Sequence, residues 1–132
     1  MNHKPLVINQ ADCVWQTRDA HKTENGPAVR WKTLISSDIT ASDSLTMGYS
    51  EIMPGAKFSR HRHAQPEVYY ILEGSGSVEI EGQSYPVQPG TAVFLPGNAL
   101  HTLINTGAGP LRLVYTFPVD SFADVEYILE QR

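Results

Sequence analysis

Two histidines, a glutamate and a tyrosine alternate along one short stretch of the chain, HRHAQPEVY at 61–69. Because side chains alternate faces along a β-strand, His61 and His63 share a face, and so do Glu67 and Tyr69. Pro66 cannot donate a ladder hydrogen bond, so a turn or bulge is expected between the two pairs. Two imidazoles and a carboxylate that converge in this way suit a divalent transition metal.

A fourth candidate ligand lies downstream, in the stretch GTAVFLPGNALHTLIN at 90–105. His101 follows a Pro-Gly turn and begins a predicted strand, where its ring can point inward. The alternative is a solvated loop in which Glu67 pairs with Arg60 or Arg62. A set of four side chains, all of types that bind metals, favours the metal site over that loop.

Short β-type runs separated by Gly/Pro turns predict an all-β sandwich or barrel to carry these residues. The tail at 118–132 is expected to be extended or to form a short helix. The predicted strands are VRWKTLI (29–35), SLTMGYSEIM (44–53), EVYYILEG (67–74), GSVEIEG (76–82), QSYPVQ (83–88), TAVFLP (91–96), LHTLINT (100–106) and LRLVYTF (111–117).

The length and composition indicate one soluble domain. A chain of 132 residues suits one core, with residues 1–26 as an N-terminal arm and 27–132 as a β-barrel domain with a C-terminal tail. A net charge of −4 without a long basic run argues against nucleic acid. Cys13 is the only cysteine, which indicates a reducing compartment. No signal peptide or membrane-spanning stretch is evident, so we expect a cytoplasmic protein.

Both histidine segments resemble the two sequence motifs of the cupin superfamily. The first pattern, G-x5-H-x-H-x3-E-x6-G, matches Gly55, His61, His63, Glu67 and Gly74. The second, G-x5-P-x-G-x2-H-x3-N, matches Gly90, Pro96, His101 and Asn105, with Asn98 in place of its glycine. Asparagine tolerates left-handed backbone better than most residues, so the turn can persist. The resemblance implies a double-stranded β-helix, the jelly-roll-like (RmlC-like) barrel, with a metal inside its mouth.

The resemblance extends further, to the small cupin-type dimethylsulfoniopropionate (DMSP) lyases, over roughly residues 27 to 128. It rests on VRWKTLI, SLTMGYSEIMPG, HRHAQPEVYYILEG, FLPGNALHTLINTG and VYTFPVDSFADVEYI. It implies β-elimination from a small carboxylate, with one divalent ion (Fe, Mn, Ni, Co or Zn) held by His61, His63, Glu67 and His101. It also implies that Tyr69 is the base and that Tyr127 in the tail lines the site.

Several alternatives remain open at the level of sequence. The sequence fits two roles for Tyr69 about equally well: packing in the core, which is common for a tyrosine on a strand, and acting as a base. The same ligand set also serves dioxygenases and sugar-acid isomerases, and a non-catalytic barrel could bind a small carboxylate or sugar. An aromatic wall would suit a cationic substrate, and its candidates are Trp31, Tyr49, Phe58 and Tyr115. We also expect a homodimer in which the arm helps to cover a neighbouring subunit.

Overall fold

The computed structural model describes residues 4–17, 22–23 and 26–130. Thirteen strands and two short 3₁₀ helices, Gln10–Asp12 and Phe122–Asp124, are found in this part of the chain. The strands are β1 (Gln16–Thr17), β2 (Lys22–Thr23), β3 (Gly26–Pro27), β4 (Val29–Ile35), β5 (Thr46–Ile52), β6 (His61–Arg62), β7 (Glu67–Glu73), β8 (Gly76–Ile80), β9 (Gln83–Val87), β10 (Ala92–Leu95), β11 (His101–Asn105), β12 (Leu111–Phe117) and β13 (Ile128–Leu129).

Two antiparallel sheets form the barrel. The first sheet has six strands in the order β1-β4-β5-β12-β7-β10, and the second has five in the order β13-β6-β11-β8-β9. A separate two-stranded ribbon joins β2 to β3. The predicted all-β jelly-roll-like barrel is therefore confirmed. No helix in the described ranges is long and apolar enough to cross a membrane.

The core lies between the two sheets and follows from the alternation of side chains along each strand. On β7, Glu67, Tyr69 and Ile71 are buried, whereas Val68 and Tyr70 are exposed on the outer face. The apolar side chains with 0% exposure point inward in the same way. They are Ile52, Ile71, Leu95, Leu103, Leu111, Leu113 and Phe117. The site residues of β7 therefore lie on the same face as the hydrophobic core.

Most predicted strands occur with slightly trimmed ends. β4 and β12 have the predicted bounds, and the other long runs lose a residue or more at one or both ends. The histidine segment contains only the two-residue strand β6, followed by a bend at Ala64 and Gln65 before β7 begins. The tail combines both expected forms, since the second 3₁₀ helix precedes β13.

The described part of the N-terminal arm packs against the chain's own barrel. Gln16 pairs with Trp31 in the register of β1 and β4. Lys32 donates from Nζ to the backbone oxygen of Gln10 at 2.9 Å, and the Arg30 guanidinium lies 3.8 Å from the ring centroid of Trp15. Residues 1–3, 18–21 and 24–25 of the predicted arm lie outside the described residues. Coverage of a neighbouring subunit by the arm stays a prediction.

Two asparagines of the second motif shape the backbone around His101. Asn98 has φ of 64°, in the left-handed region that the substitution for glycine was expected to tolerate. Asn105 is 2% exposed and donates from Nδ2 to the carbonyls of Ile52 and Gly109, both at 2.8 Å. Its Oδ1 accepts from the Gly107 amide at 2.9 Å. Asn105 therefore ties three chain segments together rather than facing the site.

Candidate metal centre

Three buried imidazoles are fixed in one tautomer by backbone carbonyls. His61 Nδ1 lies 2.6 Å from the Ser59 oxygen, His63 Nδ1 lies 2.9 Å from the Gln65 oxygen, and His101 Nδ1 lies 2.8 Å from the Ala99 oxygen. A carbonyl oxygen can only accept, so each Nδ1 must carry the proton. In the neutral ring, each Nε2 then keeps its lone pair, which is the arrangement that metal-binding histidines adopt.

The ligand atoms of these rings converge on one point beside Glu67. Those of His61, His63 and His101 all lie within 4.8 Å of one another. Glu67 Oε1 is 3.1 Å from His63 Nε2 and 3.5 Å from His101 Nε2. The convergence arises because β11 pairs with β6, which sets His101 opposite His61, while β7 brings in Glu67 from the first sheet.

The electrostatics act in opposite directions on two of the imidazoles. Burial lowers the pKa of His61 to about 4, so this ring is uncharged at neutral pH. Burial also disfavours charge on His63, but the hydrogen bond and negative charge of Glu67 outweigh it and raise the pKa of His63. Neutral imidazole is the form that binds a metal.

The donor set fits a divalent transition ion. His101 Nε2 is buried and has no hydrogen-bond partner in the described part of the chain, which a metal bond would satisfy. The alternative of a solvated loop is wrong, because His61, His63 and Glu67 are all buried. Arg60 pairs with Glu79 at 2.5 Å and with Glu130 at 3.3 Å. The assignment of the four ligands stays a prediction, which rests on three imidazoles and one carboxylate.

Tyr69 lies inside the barrel next to this cluster. It is 2% exposed, and its ring centroid is 6.4 Å from that of His101 and 6.3 Å from that of Phe58. Burial first, and then the negative charge of Glu67, raise the pKa of Tyr69 well above its ordinary value. Tyr69 is thus placed both to pack in the core and to meet a ligand bound at the histidines.

The tail brings Tyr127 to the mouth of the same site. Its ring centroid lies 5.3 Å from that of His61 and 5.6 Å from that of His63. Pairing of β13 with β6 fixes this position, since Ile128 is opposite Arg62. Tyr127 is 40% exposed, so it covers the cluster from the solvent side. The local sequence pattern did not predict this pairing, because β13 has only two residues and β6 lies much earlier in the chain.

A cavity of about 780 Å³ opens over the cluster. Of the four proposed wall aromatics, Trp31, Phe58 and Tyr115 line it. The proposal for Tyr49 is wrong, because its side chain lies on the outer face of the sheet, where its ring centroid is 5.7 Å from that of Trp15. Other lining residues were not foreseen from the sequence, and they include Gln16, Asp38, Lys57 and Phe122.

A search of protein families identifies the class to which this barrel belongs. Residues 48–117 match the Cupin domain family, and this range contains both histidine motifs. The chain is therefore a member of the cupin family, in agreement with the two sheets and the buried histidine cluster.

Comparison with individual proteins indicates a narrower class of relatives than the cupin family as a whole. The chain is 43% identical over 101 residues to dimethylsulfoniopropionate lyase DddW of Ruegeria pomeroyi, which covers 75% of this chain and 64% of the lyase. The matched part thus spans less than two thirds of that relative's length.

Two solved structures share the fold. The polyketide cyclase RemF of Streptomyces resistomycificus has a TM-score of 0.79 at 18% identity, over 98% of this chain and 87% of the cyclase. A structure described as that of the DMSP lyases RdDddP and RnDddQII has a TM-score of 0.69, also at 18% identity, over 96% of this chain and 61% of the other. At this identity, both establish the fold alone.

Proposed function

We propose that the protein is a metal-dependent carbon–sulfur lyase that cleaves DMSP to dimethyl sulfide and acrylate. The observation that carries the proposal is that Tyr69, a buried tyrosine, lies next to the cluster of three histidines and lines one cavity with His61 and Glu67. The 43% identity to a DMSP lyase supports the choice of substrate. The proposal takes Tyr69 as the base, and His61, His63, Glu67 and His101 as ligands.

The four ligands would hold one divalent ion, such as Fe, Mn, Ni, Co or Zn. A bound ion supplies Lewis acidity, which makes the hydrogen next to a coordinated carboxylate more acidic. Three neutral imidazoles balance none of the ion's charge and Glu67 balances one unit, so the site keeps a net positive charge. That charge suits the anionic carboxylate end of DMSP.

Tyr69 would take the proton from the carbon next to the carboxylate. The C–H electron pair becomes the new C=C bond, the C–S bond breaks, and its electron pair leaves with sulfur as neutral dimethyl sulfide. Acrylate remains, and the proton on Tyr69 passes to solvent. Burial and Glu67 raise the pKa of Tyr69, whereas positive charge at the histidine cluster acts in the opposite direction and favours phenolate.

Tyr127 would close the site from the solvent side. Its ring lies edge-on to His61, at an interplanar angle of 63°. At 40% exposure it stands between the cluster and bulk water. In this position it can orient the substrate carboxylate or pass a proton between Tyr69 and solvent.

The test compares two tyrosine-to-phenylalanine variants in neighbouring positions of β7. Metal-loaded wild type, Tyr69→Phe and Tyr70→Phe are incubated with DMSP, and headspace dimethyl sulfide and acrylate are measured with and without oxygen. Tyr70 is 45% exposed on the outer face and serves as the matched control. We expect wild type and Tyr70→Phe to form both products, and Tyr69→Phe to lose a factor of about a hundred or more.

Three outcomes would count against the proposal. Near-normal turnover by Tyr69→Phe with its full metal content would reject Tyr69 as the base. Absence of product with every one of the five metals would reject DMSP as the substrate. A product that forms only in oxygen would move the assignment to a dioxygenase.

A further inference from the structure

Charged side chains are distributed unevenly around the cavity. Glu67 and His61 lie at the histidine cluster. Lys57 belongs to the segment before β6 and forms an isolated β-bridge with Ile104 of the second sheet. Across the cavity, on the side of β4 and β5, Asp38 is the charged residue among the described lining residues. It makes no ion pair with a cation in the described part of the chain.

Asp38 lies at the same end of the barrel as the cluster. It follows β4 by three residues, and the ends of β4, β5, β12 and β7 lie side by side in the first sheet. Three strand spacings, about 14 Å measured along the sheet, separate the end of β4 from Glu67 on β7. Asp38, Glu67 and His61 line the same cavity, so both ends of the sheet face one space.

Buried hydroxyl groups hold the Asp38 loop against the tail. The Ser36 hydroxyl donates to Asp38 Oδ1, and Ser36 is 0% exposed. The Phe122 amide donates to Ser36 Oγ at 3.1 Å. The hydrogen bond from the Ser36 hydroxyl to Asp38 lowers the pKa of Asp38, so the Asp38 carboxylate stays ionised at neutral pH. Asp38 is itself exposed, and the hydrogen bond from the Ser36 hydroxyl orients its carboxylate.

Two aromatic rings line the same cavity as this carboxylate. The backbone amide of Phe122 donates to Ser36 Oγ. The ring centroid of Phe122 is 5.6 Å from that of Tyr115. The Tyr115 ring lies over Gly48, where an added Cβ would be only 2.3 Å from Cζ of Tyr115. Glycine at position 48 therefore makes the room for this ring. Aromatic faces and a carboxylate that pairs with no described cation, in one cavity, attract cations and offer little to a neutral group.

We propose that Asp38, together with the rings of Tyr115 and Phe122, forms a subsite for the cationic end of an onium carboxylate. The class comprises propionates that carry a sulfonium or a quaternary ammonium group. The inference rests on the proposed function in one respect, that the substrate carboxylate lies at the histidine cluster. It goes further by naming Asp38 as the residue that selects positive charge.

The test measures binding of two probes of the same shape and different charge. The probes are 3-(trimethylammonio)propionate and its neutral isostere 4,4-dimethylpentanoate, titrated by calorimetry into protein loaded with the divalent ion that it retains. We expect wild type to bind the cationic probe about fivefold tighter or more. Asp38→Asn should lose most of this preference, with the Kd of the neutral probe changed by less than about twofold.

Two further variants serve as controls. Asp43→Asn removes the same charge from the same loop outside the cavity lining, and it should keep the preference of wild type. Asp38→Glu keeps the charge and should restore part of the preference. An unchanged preference in Asp38→Asn would overturn the proposal, and so would a wild-type protein that binds both probes alike or binds neither at millimolar concentration.

These measurements can fail separately from the assay of DMSP cleavage. If DMSP is not cleaved but the preference exists and depends on Asp38, the cation subsite stands and the reaction is a different one. If DMSP is cleaved and Asp38→Asn keeps the full preference, the lyase assignment stands and the subsite is rejected.

Discussion

Replacement of Asn105 by alanine would separate a structural motif residue from the candidate ligands nearby. The side chain makes three hydrogen bonds, to the Ile52 and Gly109 carbonyls and from the Gly107 amide. At about 1 kcal/mol for each bond, Asn105→Ala should lose about 3 kcal/mol of the free energy of unfolding. For a chain of 132 residues, that corresponds to a melting temperature lower by roughly 10 °C.

The assay combines thermal or urea unfolding with metal analysis of the same samples. Gln88→Ala, at an exposed position, is the control and should melt as wild type does. Asn105→Ala should keep the metal content of wild type, because Asn105 binds backbone and does not face the cluster. A melting temperature lowered by less than about 3 °C would refute the hydrogen-bond argument. Loss of metal without loss of stability would refute the structural role.

The remaining predictions concern the ligands, the outer face and the assembly. His101→Ala should reduce the metal content from about one ion per chain to a small fraction, and a metal content equal to that of Asn105→Ala would contradict the ligand role. Burial opposes charge on Glu51, but hydrogen bonds from Arg30 and Arg112 outweigh it and lower the pKa of Glu51 below 4.5. Its stabilising contribution is therefore present above that pH and lost as the pH falls through the folded-state pKa, so Glu51→Gln should cost about 1–3 kcal/mol at pH 7 and progressively less as the pH falls through that pKa. Denaturant unfolding with the same difference from pH 3 to 7 would contradict this. We expect a homodimer, and light scattering that gives the mass of one chain at micromolar concentration would reject it.

The fold could be predicted from the sequence where the alternation of side chains was long and regular. β4 and β12 have the predicted bounds, because seven residues in each alternate against neighbours on both sides of the strand. The same alternation, applied strictly, places Gly48 and Ser50 inward and Tyr49 outward. Tyr49 was therefore a wrong choice for the cavity wall that the pattern itself could have excluded.

The far side of the cavity could not be predicted in this way. Asp38 and Phe122 are brought together by a hydrogen bond between Ser36 and Phe122, which are 86 positions apart in the sequence. Neither loop has a period or a motif that indicates this contact. The histidine cluster is different, since the alternation of side chains along a strand groups His61 with His63. The resemblance to the second cupin motif added His101, which joins them through the pairing of β11 with β6.

The most direct test of the account follows the fate of hydrogen next to the carboxylate. Metal-loaded protein is incubated with DMSP that carries two deuterium atoms on that carbon, and the products are analysed by mass spectrometry. Removal of one of these atoms by Tyr69 predicts unlabelled dimethyl sulfide and acrylate that retains the other deuterium. A propionate product that keeps both deuterium atoms, an oxygenated product, or unchanged substrate would contradict β-elimination at this site.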